Sequence, residues 1–95
     1  MISAASVPKL AKKARLRFDR HQGQHMLLYP ERGLLLSASA AAIAERCDGT
    51  RTVAEIARQL AAMSEGASAE RIEHDVVEFL EDLAGRGLLD LPEQP

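Results

Sequence analysis

The chain has 95 residues, the size of a single domain with a small core, and its one cysteine, Cys47, excludes a disulfide framework and a multi-cysteine metal site. A formal net charge of −2 hides an asymmetry: residues 1–20 carry six Lys and Arg against one Asp, whereas residues 69–86 carry six Asp and Glu against two Arg. There is no signal peptide and no apolar run of about 20 residues, so a soluble cytoplasmic domain is expected.

The N-terminal part of the chain changes character at residue 15. Residues 1–14 show no sustained hydrophobic period and are predicted to form a flexible basic arm. Residues 15–19 alternate polar and apolar, which predicts a half-buried strand with Leu16 and Phe18 facing inward.

Two further strands follow, separated by turns. Gly23, free to adopt positive φ, marks the first turn, and residues 25–29 form the second strand. Pro30 opens the second turn, and residues 34–36 form a short third strand. The pattern predicts a three-stranded antiparallel meander.

Three helices are predicted after the strands. The first begins near Ser37 or Ser39 and ends at Asp48-Gly49; its apolar face comprises Ala40, Ile43, Ala44 and Cys47. The second begins at Thr52-Val53-Ala54-Glu55, which has the spacing of a capping box.

The third helix runs from Ser68 to about Arg86, with Gly87 as the residue that ends it. Its apolar band contains Ile72, Val76, Phe79, Leu80 and Leu83, widened by Val77 and Ala84. The order βββααα predicts an α+β domain of winged-helix type over residues 15–91, followed by a tail at 92–95.

No arrangement of residues indicates catalysis. A turn separates His21 from His25, His74 lies on an acidic helix face typical of a solvated surface, and Cys47 is interpreted as a buried structural thiol. We therefore expect no catalytic residue, no metal site and no bound cofactor. Nucleic-acid binding is disfavoured because the acidic third helix would repel phosphates.

The apolar third strand offers a different function. A strand at the junction of sheet and helices is expected at a sheet edge, where an extended peptide can add as a further strand. Two alternatives stay open at this point: a winged-helix DNA-binding regulator, and a homodimeric structural adaptor joined through the edge strand.

The chain also resembles a known family, PqqD, over roughly residues 8–91. The resemblance is carried in order by Leu27-Leu28-Tyr29-Pro30-Glu31, Ser39-Ala40-Ala41-Ala42-Ile43, Cys47-Asp48-Gly49-Thr50-Arg51-Thr52-Val53-Ala54-Glu55-Ile56, Asp75-Val76-Val77-Glu78-Phe79-Leu80 and Arg86-Gly87-Leu88-Leu89. The turn at Cys47-Asp48-Gly49 that leads into the capped helix is its most specific part.

The resemblance implies a peptide chaperone of pyrroloquinoline quinone biosynthesis, a RiPP recognition element that itself binds no quinone. Its implied partners are the precursor peptide PqqA and the radical S-adenosylmethionine enzyme PqqE, to which the peptide is presented; no membrane partner is expected. Carried onto this chain, the resemblance implies that the peptide adds to the third strand and lies against the third helix, and the implied contact residues are Gly33, Leu34, Leu35, Leu36, Ile72, Asp75, Val76, Phe79 and Leu83.

Two positions depart from the family pattern. Ser37 stands where Asn is expected, and both residue types cap helices. Leu35 stands where a polar residue is expected, so the edge strand is unusually apolar and favours self-association through a possible homodimer.

Overall fold

The computed structural model describes residues 2–91 and shows an α+β fold. Its elements in chain order are β1 (Lys9–Leu10), β2 (Arg15–Asp19), β3 (Gln24–Tyr29), β4 (Arg32–Leu36), α1 (Ala38–Glu45), α2 (Val53–Ala62), α3 (Ala69–Gly85) and β5 (Leu89–Asp90). Strands β2, β3 and β4 form an antiparallel sheet in that order, and the three helices follow. The predicted α+β order of a meander followed by helices is therefore confirmed.

Local signals set the turn and the helix ends where the sequence predicted them. Gly23 has φ of 66° in the β2–β3 turn, and Ser37 is the N-cap of α1. The capping box of α2 is complete: the Thr52 hydroxyl accepts from the Glu55 N–H, and the Glu55 carboxylate accepts from the Thr52 N–H. Helix α3 ends at Gly85, and Gly87, the residue predicted to end it, follows with φ of 74°.

The first helix is shorter than predicted. It ends at Glu45, and Cys47 follows it instead of lying on its face. The thiol is nevertheless buried and donates to the Ile43 carbonyl at 3.2 Å, so the predicted structural role is confirmed. Gly49 does adopt positive φ, but in a turn beyond the helix, where its N–H donates to the carbonyl of Pro8.

Phe18 lies on the core side of the sheet, as the alternation of β2 requires, but the prediction that it is buried there is wrong. Its side chain is 56% exposed, and its ring packs edge-on against the His25 ring at 5.1 Å between centroids. Because β2 is an edge strand, no further strand of the sheet shields Phe18 on its outer side. Leu16, on the same side, is half-buried as predicted.

The prediction of a free N-terminal arm is also wrong for residues 2–14. Ile2 and Pro8 are buried, and the carbonyl groups of Ala4 and Ser6 accept hydrogen bonds from the first N–H groups of α2. Strand β1 pairs with β5 in a separate two-stranded sheet. The segment therefore satisfies backbone donors at a helix start that would otherwise lack partners.

At the C-terminal end of the domain, Leu89–Asp90 form β5, which pairs with β1. The predicted tail at 92–95 lies outside the described residues.

The core lies between the sheet and the helices. It is formed by side chains from β3, β4 and every helix, and its fully buried members include Leu27, Val53, Ile56, Val76, Leu80, Leu83 and Leu88. Leu88 is held by its N–H, which donates to the Leu83 carbonyl at 2.9 Å, while that of Gly87 donates to Ala84. These two bonds make the Schellman ending that the sequence predicted.

Candidate functional site

The two edges of the meander differ in what they offer to a ligand. Each edge strand leaves the N–H and C=O groups of alternate residues without a partner strand in the sheet. Strand β2 carries Arg15 and Arg17 along its edge, a common protection against pairing with other chains. Strand β4 carries Gly33 and the three leucines 34–36 instead. The central part of β4 therefore has no charged residue that would hinder pairing with another chain.

Helix α3 presents a half-buried stripe beside its buried one. Val76, Leu80 and Leu83 are fully buried and mark the direction of the core. At about 100° per residue, Ile72 and Phe79 lie to one side of that direction and are only half-buried. This side of α3 therefore keeps apolar surface in reach of a ligand.

An apolar hollow lies at the N-terminal end of this stripe. It has a volume of about 250 Å³, and its lining comes from all three helices: Ser39, Ala42, Ile43, Leu60, Met63, Ser64, Ile72 and Asp75. The hydroxyl groups and the Asp75 carboxylate bring polar atoms to an otherwise aliphatic wall. Its size and lining suit an apolar side chain with a polar neighbour.

The other end of the stripe meets the start of β4. The pKa of the Arg86 guanidinium is raised, mainly by its hydrogen bond to Asp82 at 3.1 Å and to a smaller extent by the Tyr29 hydroxyl. Tyr29 is paired with Arg32, the first residue of β4. The C-terminal end of α3 is thus held close to the beginning of β4, and its N-terminal end is close to α1, which follows β4.

We call the strip between β4 and the half-buried side of α3 the edge groove; it runs from Arg86 to the hollow. From Ile72 to Arg86 the helix rises about 20 Å, which corresponds to about six residues of extended chain. The length of this strip thus matches a short extended segment.

The predicted contact residues fall into two groups. Those with surface at the edge groove or the β4 edge are Gly33, Leu34, Leu35, Ile72, Asp75 and Phe79. The side chains of Leu36, Val76 and Leu83 are at most 3% exposed. They offer no side-chain surface to a ligand and instead shape the floor of the groove, although the backbone of Leu36 still lies on the β4 edge.

The sequence reasoning missed the part of the hollow supplied by α1 and α2. Leu60 and Met63 continue the apolar stripe of α2 beyond its buried residues, and Met63 is 69% exposed. Arg46 positions this end of α2 by donating to Gln59 and to the Met63 sulfur. An apolar stripe that runs past the buried length of α2 was the available signal.

In the part of the chain that the structure describes, the remaining titratable groups form no recognisable reaction centre. No group of three or more potential metal ligands occurs within residues 2–91. His25 lies 3.5 Å from Glu45 and His74 lies 3.2 Å from Glu78, and burial raises the pKa of the Cys47 thiol to about 12. Within the same residues, no helix combines the length and apolar character needed to cross a membrane.

The chain is similar in sequence to known proteins. Residues 24–89 match the family model described as coenzyme PQQ synthesis protein D (PqqD). A PqqA binding protein of Xanthomonas euvesicatoria pv. vesicatoria (strain 85-10) is 43% identical over 90 residues, which covers 95% of this chain and 97% of the relative.

Solved structures share the fold. The solution structure of the PqqD truncation of Methylobacterium extorquens PqqCD, described as a functional and stand-alone RiPP recognition element, is 37% identical, has a TM-score of 0.84, and covers 95% of each chain. Lasso peptide synthetase B1, solved with its leader peptide, has a TM-score of 0.75 at 20% identity over 88% of this chain and 98% of its own. The second likeness concerns the fold alone.

Proposed function

This chain belongs to the PqqD family, and we propose that it is a peptide chaperone of pyrroloquinoline quinone biosynthesis that binds the precursor peptide PqqA along β4 and the edge groove. The observation that carries the proposal is the unprotected edge of β4 beside a half-buried apolar stripe of α3. Relatives named for PqqA binding supply the identity of the ligand.

Strand addition gives the binding two components. The free N–H and C=O groups of β4 bond to the peptide backbone whatever its sequence, and pockets then select alternate side chains. Leu34 pairs with Leu27, a buried residue, so it points to the core side of the sheet, as does Leu36. Peptide residues that pair with Leu34 and Leu36 therefore point toward the edge groove, because directly opposed residues share a face.

The length of the groove supports a role in presenting the peptide to an enzyme. It takes about six extended residues, so the rest of a longer precursor stays outside and accessible. We propose that this free part is presented to the radical S-adenosylmethionine enzyme PqqE, and that the domain itself catalyses no reaction.

The experiment is a titration of the full-length, 15N-labelled chain with PqqA. Amides of β4 and of α3 from Ile72 to Arg86 are expected to shift, whereas those of β2 stay in place. Shifts confined to β2, or no shifts at saturating peptide, would contradict the proposal. The same spectra with added PqqE test presentation, since the peptide's free part alone is expected to respond.

A second copy of the chain is a competing occupant of β4. Its apolar character, with Leu35 46% exposed, makes an edge-to-edge homodimer a specific alternative state. Sedimentation with and without PqqA separates the two: if the copies pair through β4, the peptide is expected to convert dimer to monomer. A dimer that survives saturation with peptide would place the self-association elsewhere.

A further inference from the structure

We propose that a peptide strand added to β4 is read on both faces of the sheet, because the outer face, turned away from the helices, carries an apolar patch that reaches the free edge. The patch consists of Met26, Leu28 and Leu35. This inference rests on the proposed function and specifies the peptide further: its outward side chains must be apolar as well as its inward ones.

Strand register places the three residues together. Leu27 is fully buried and faces the core, so Met26 and Leu28, its neighbours along β3, face the opposite way. Met26 pairs with Leu35, and Leu28 pairs with Gly33. Paired residues share a face, and Leu35 is therefore on the outer face too.

Gly33 lets the patch extend to the edge. A Cβ atom at this position would lie 2.8 Å from the Met26 Cε and 3.1 Å from the Leu28 Cδ2. Both side chains therefore fold over the backbone of Gly33, where a side chain of the edge strand would otherwise stand. In a strand that pairs with β4, the residue opposite Gly33 therefore contacts Met26 and Leu28. The next residue that points outward, opposite Leu35, contacts Leu35.

The patch is narrow and has charged neighbours on its other side. Met26 and Leu28 pair with Arg17 and Arg15 of β2, and neither arginine forms an ion pair among residues 2–91. Apart from Phe18 of β2, which lines a hollow with Met26 and Leu28, the uncharged surface is confined to β3 and β4, about two strand spacings wide. A strip this narrow beside a free edge can accommodate one more strand of apolar residues, whereas a broad protein surface would extend beyond it.

The register gives the composition of the bound segment. Residues that pair with Gly33 and Leu35 point outward to the patch, and those that pair with Leu34 and Leu36 point inward to the edge groove. A segment of four consecutive apolar residues satisfies both faces. A segment that alternates apolar and polar residues satisfies only one face and is expected to bind more weakly.

Two methionines allow the faces to be observed separately. Met26 lies in the patch, and Met63 lines the hollow of the edge groove. With the full chain carrying 13C-labelled methionine methyl groups and unlabelled PqqA as the probe, we expect nuclear Overhauser effects from the peptide to the Met26 methyl, together with a shift of Met63.

Affinity gives a second measurement. Leu35→Ser is expected to weaken PqqA binding about five- to tenfold, since a half-exposed leucine would lose its contact with the peptide. Leu91→Ser is the control, because Leu91 is another exposed apolar residue, 38% exposed, and belongs to neither the patch nor the hollow of the edge groove. Its affinity should equal that of the unsubstituted chain. Replacing the peptide residue that pairs with Leu35 by Ser should cost little further in the Leu35→Ser background, because the contact between the two residues is already lost.

The outcomes distinguish the two proposals. Perturbed β4 amides with no Overhauser effect at Met26 and an unchanged Leu35→Ser affinity would overturn two-faced reading and leave the proposed function in place. No response at β4, Met63 or Met26 would overturn both. Overhauser effects to Met26 between differently labelled copies without peptide would assign the patch to a second copy and overturn the inference as well.

Discussion

The substitution Ile72→Ala tests whether the wall of the hollow contributes to peptide binding. Ile72 is half-buried, packs against the core and lines the hollow. The change removes three carbon atoms, worth at most about 2.4 kcal/mol if they were fully buried, at about 0.8 kcal/mol each. Part of the side chain is covered in the free protein, and the rest is covered only by a ligand. The lost free energy is therefore divided between folding and binding. We expect about 1 kcal/mol in each, which corresponds to about fivefold weaker PqqA binding.

Val77→Ala is the matched control on the same helix. Val77 is also half-buried and packs against the core, but it lies about 140° around α3 from Ile72 and does not line the hollow. It should lower the free energy of unfolding by a similar amount and leave the affinity for PqqA unchanged.

Urea denaturation measures the stability of both variants, and calorimetric titration with PqqA at a temperature where both are folded measures binding. The reasoning is refuted if Ile72→Ala loses stability while its dissociation constant stays within twofold of the parent. It is equally refuted if Val77→Ala weakens binding as much, because the effect would then follow stability and not the hollow.

Three further predictions concern the fold. Gly87→Ala should lower the free energy of unfolding by about 1 kcal/mol, since the position has φ of 74° and the nearest obstacle to a Cβ is the Lys13 Nζ at 3.8 Å; an unchanged urea midpoint would contradict a purely conformational cost. Cys47, with a pKa of about 12 and a buried side chain, should react with a thiol reagent at pH 8 only in denaturant, and rapid reaction of the folded chain would show that the site opens. The pKa of Glu55 is lowered, mainly by the hydrogen bond from the Thr52 N–H. The ionised carboxylate therefore stabilises the fold at any pH above its unfolded pKa of about 4.3. This stabilisation is lost as the pH falls through the lower pKa of the folded state. Glu55→Gln should therefore flatten the fall in stability between about pH 5 and pH 2, and an unchanged acid profile by circular dichroism would count against the capping box as its source.

Signals within a few residues of one another were predictable from sequence. The capping box at Thr52 and Glu55 and the helix end at Gly87 depend on bonds that span three to five residues, so their residue types and spacing were sufficient. The alternation in β3 and β4 likewise determined which side chains share a face. The PqqD motifs then indicated which edge to examine.

Contacts between distant segments were not predictable in this way. Strand β1 has two residues, too few for any hydrophobic period, and its pairing with β5 joins opposite ends of the chain. Phe18 follows the alternation of its strand and is nevertheless exposed, because exposure depends on which helix covers that part of the sheet. The hollow needs residues from three helices, and the one local signal, the apolar stripe that runs past the buried length of α2, does not show which residues of α1 and α3 it faces.

For the site itself, the sequence alone determined that β4 is short, apolar and followed by a capped helix. The edge position of β4, which was expected from its place between the sheet and the helices, is confirmed. Only the tertiary structure decided that Val76 and Leu83 are core while Ile72 and Phe79 keep surface, and that Gly33 admits Met26 and Leu28 to the edge. The physical reason is that periodicity assigns a side chain to a face of its own element, whereas burial is set by what packs on that face from elsewhere in the chain.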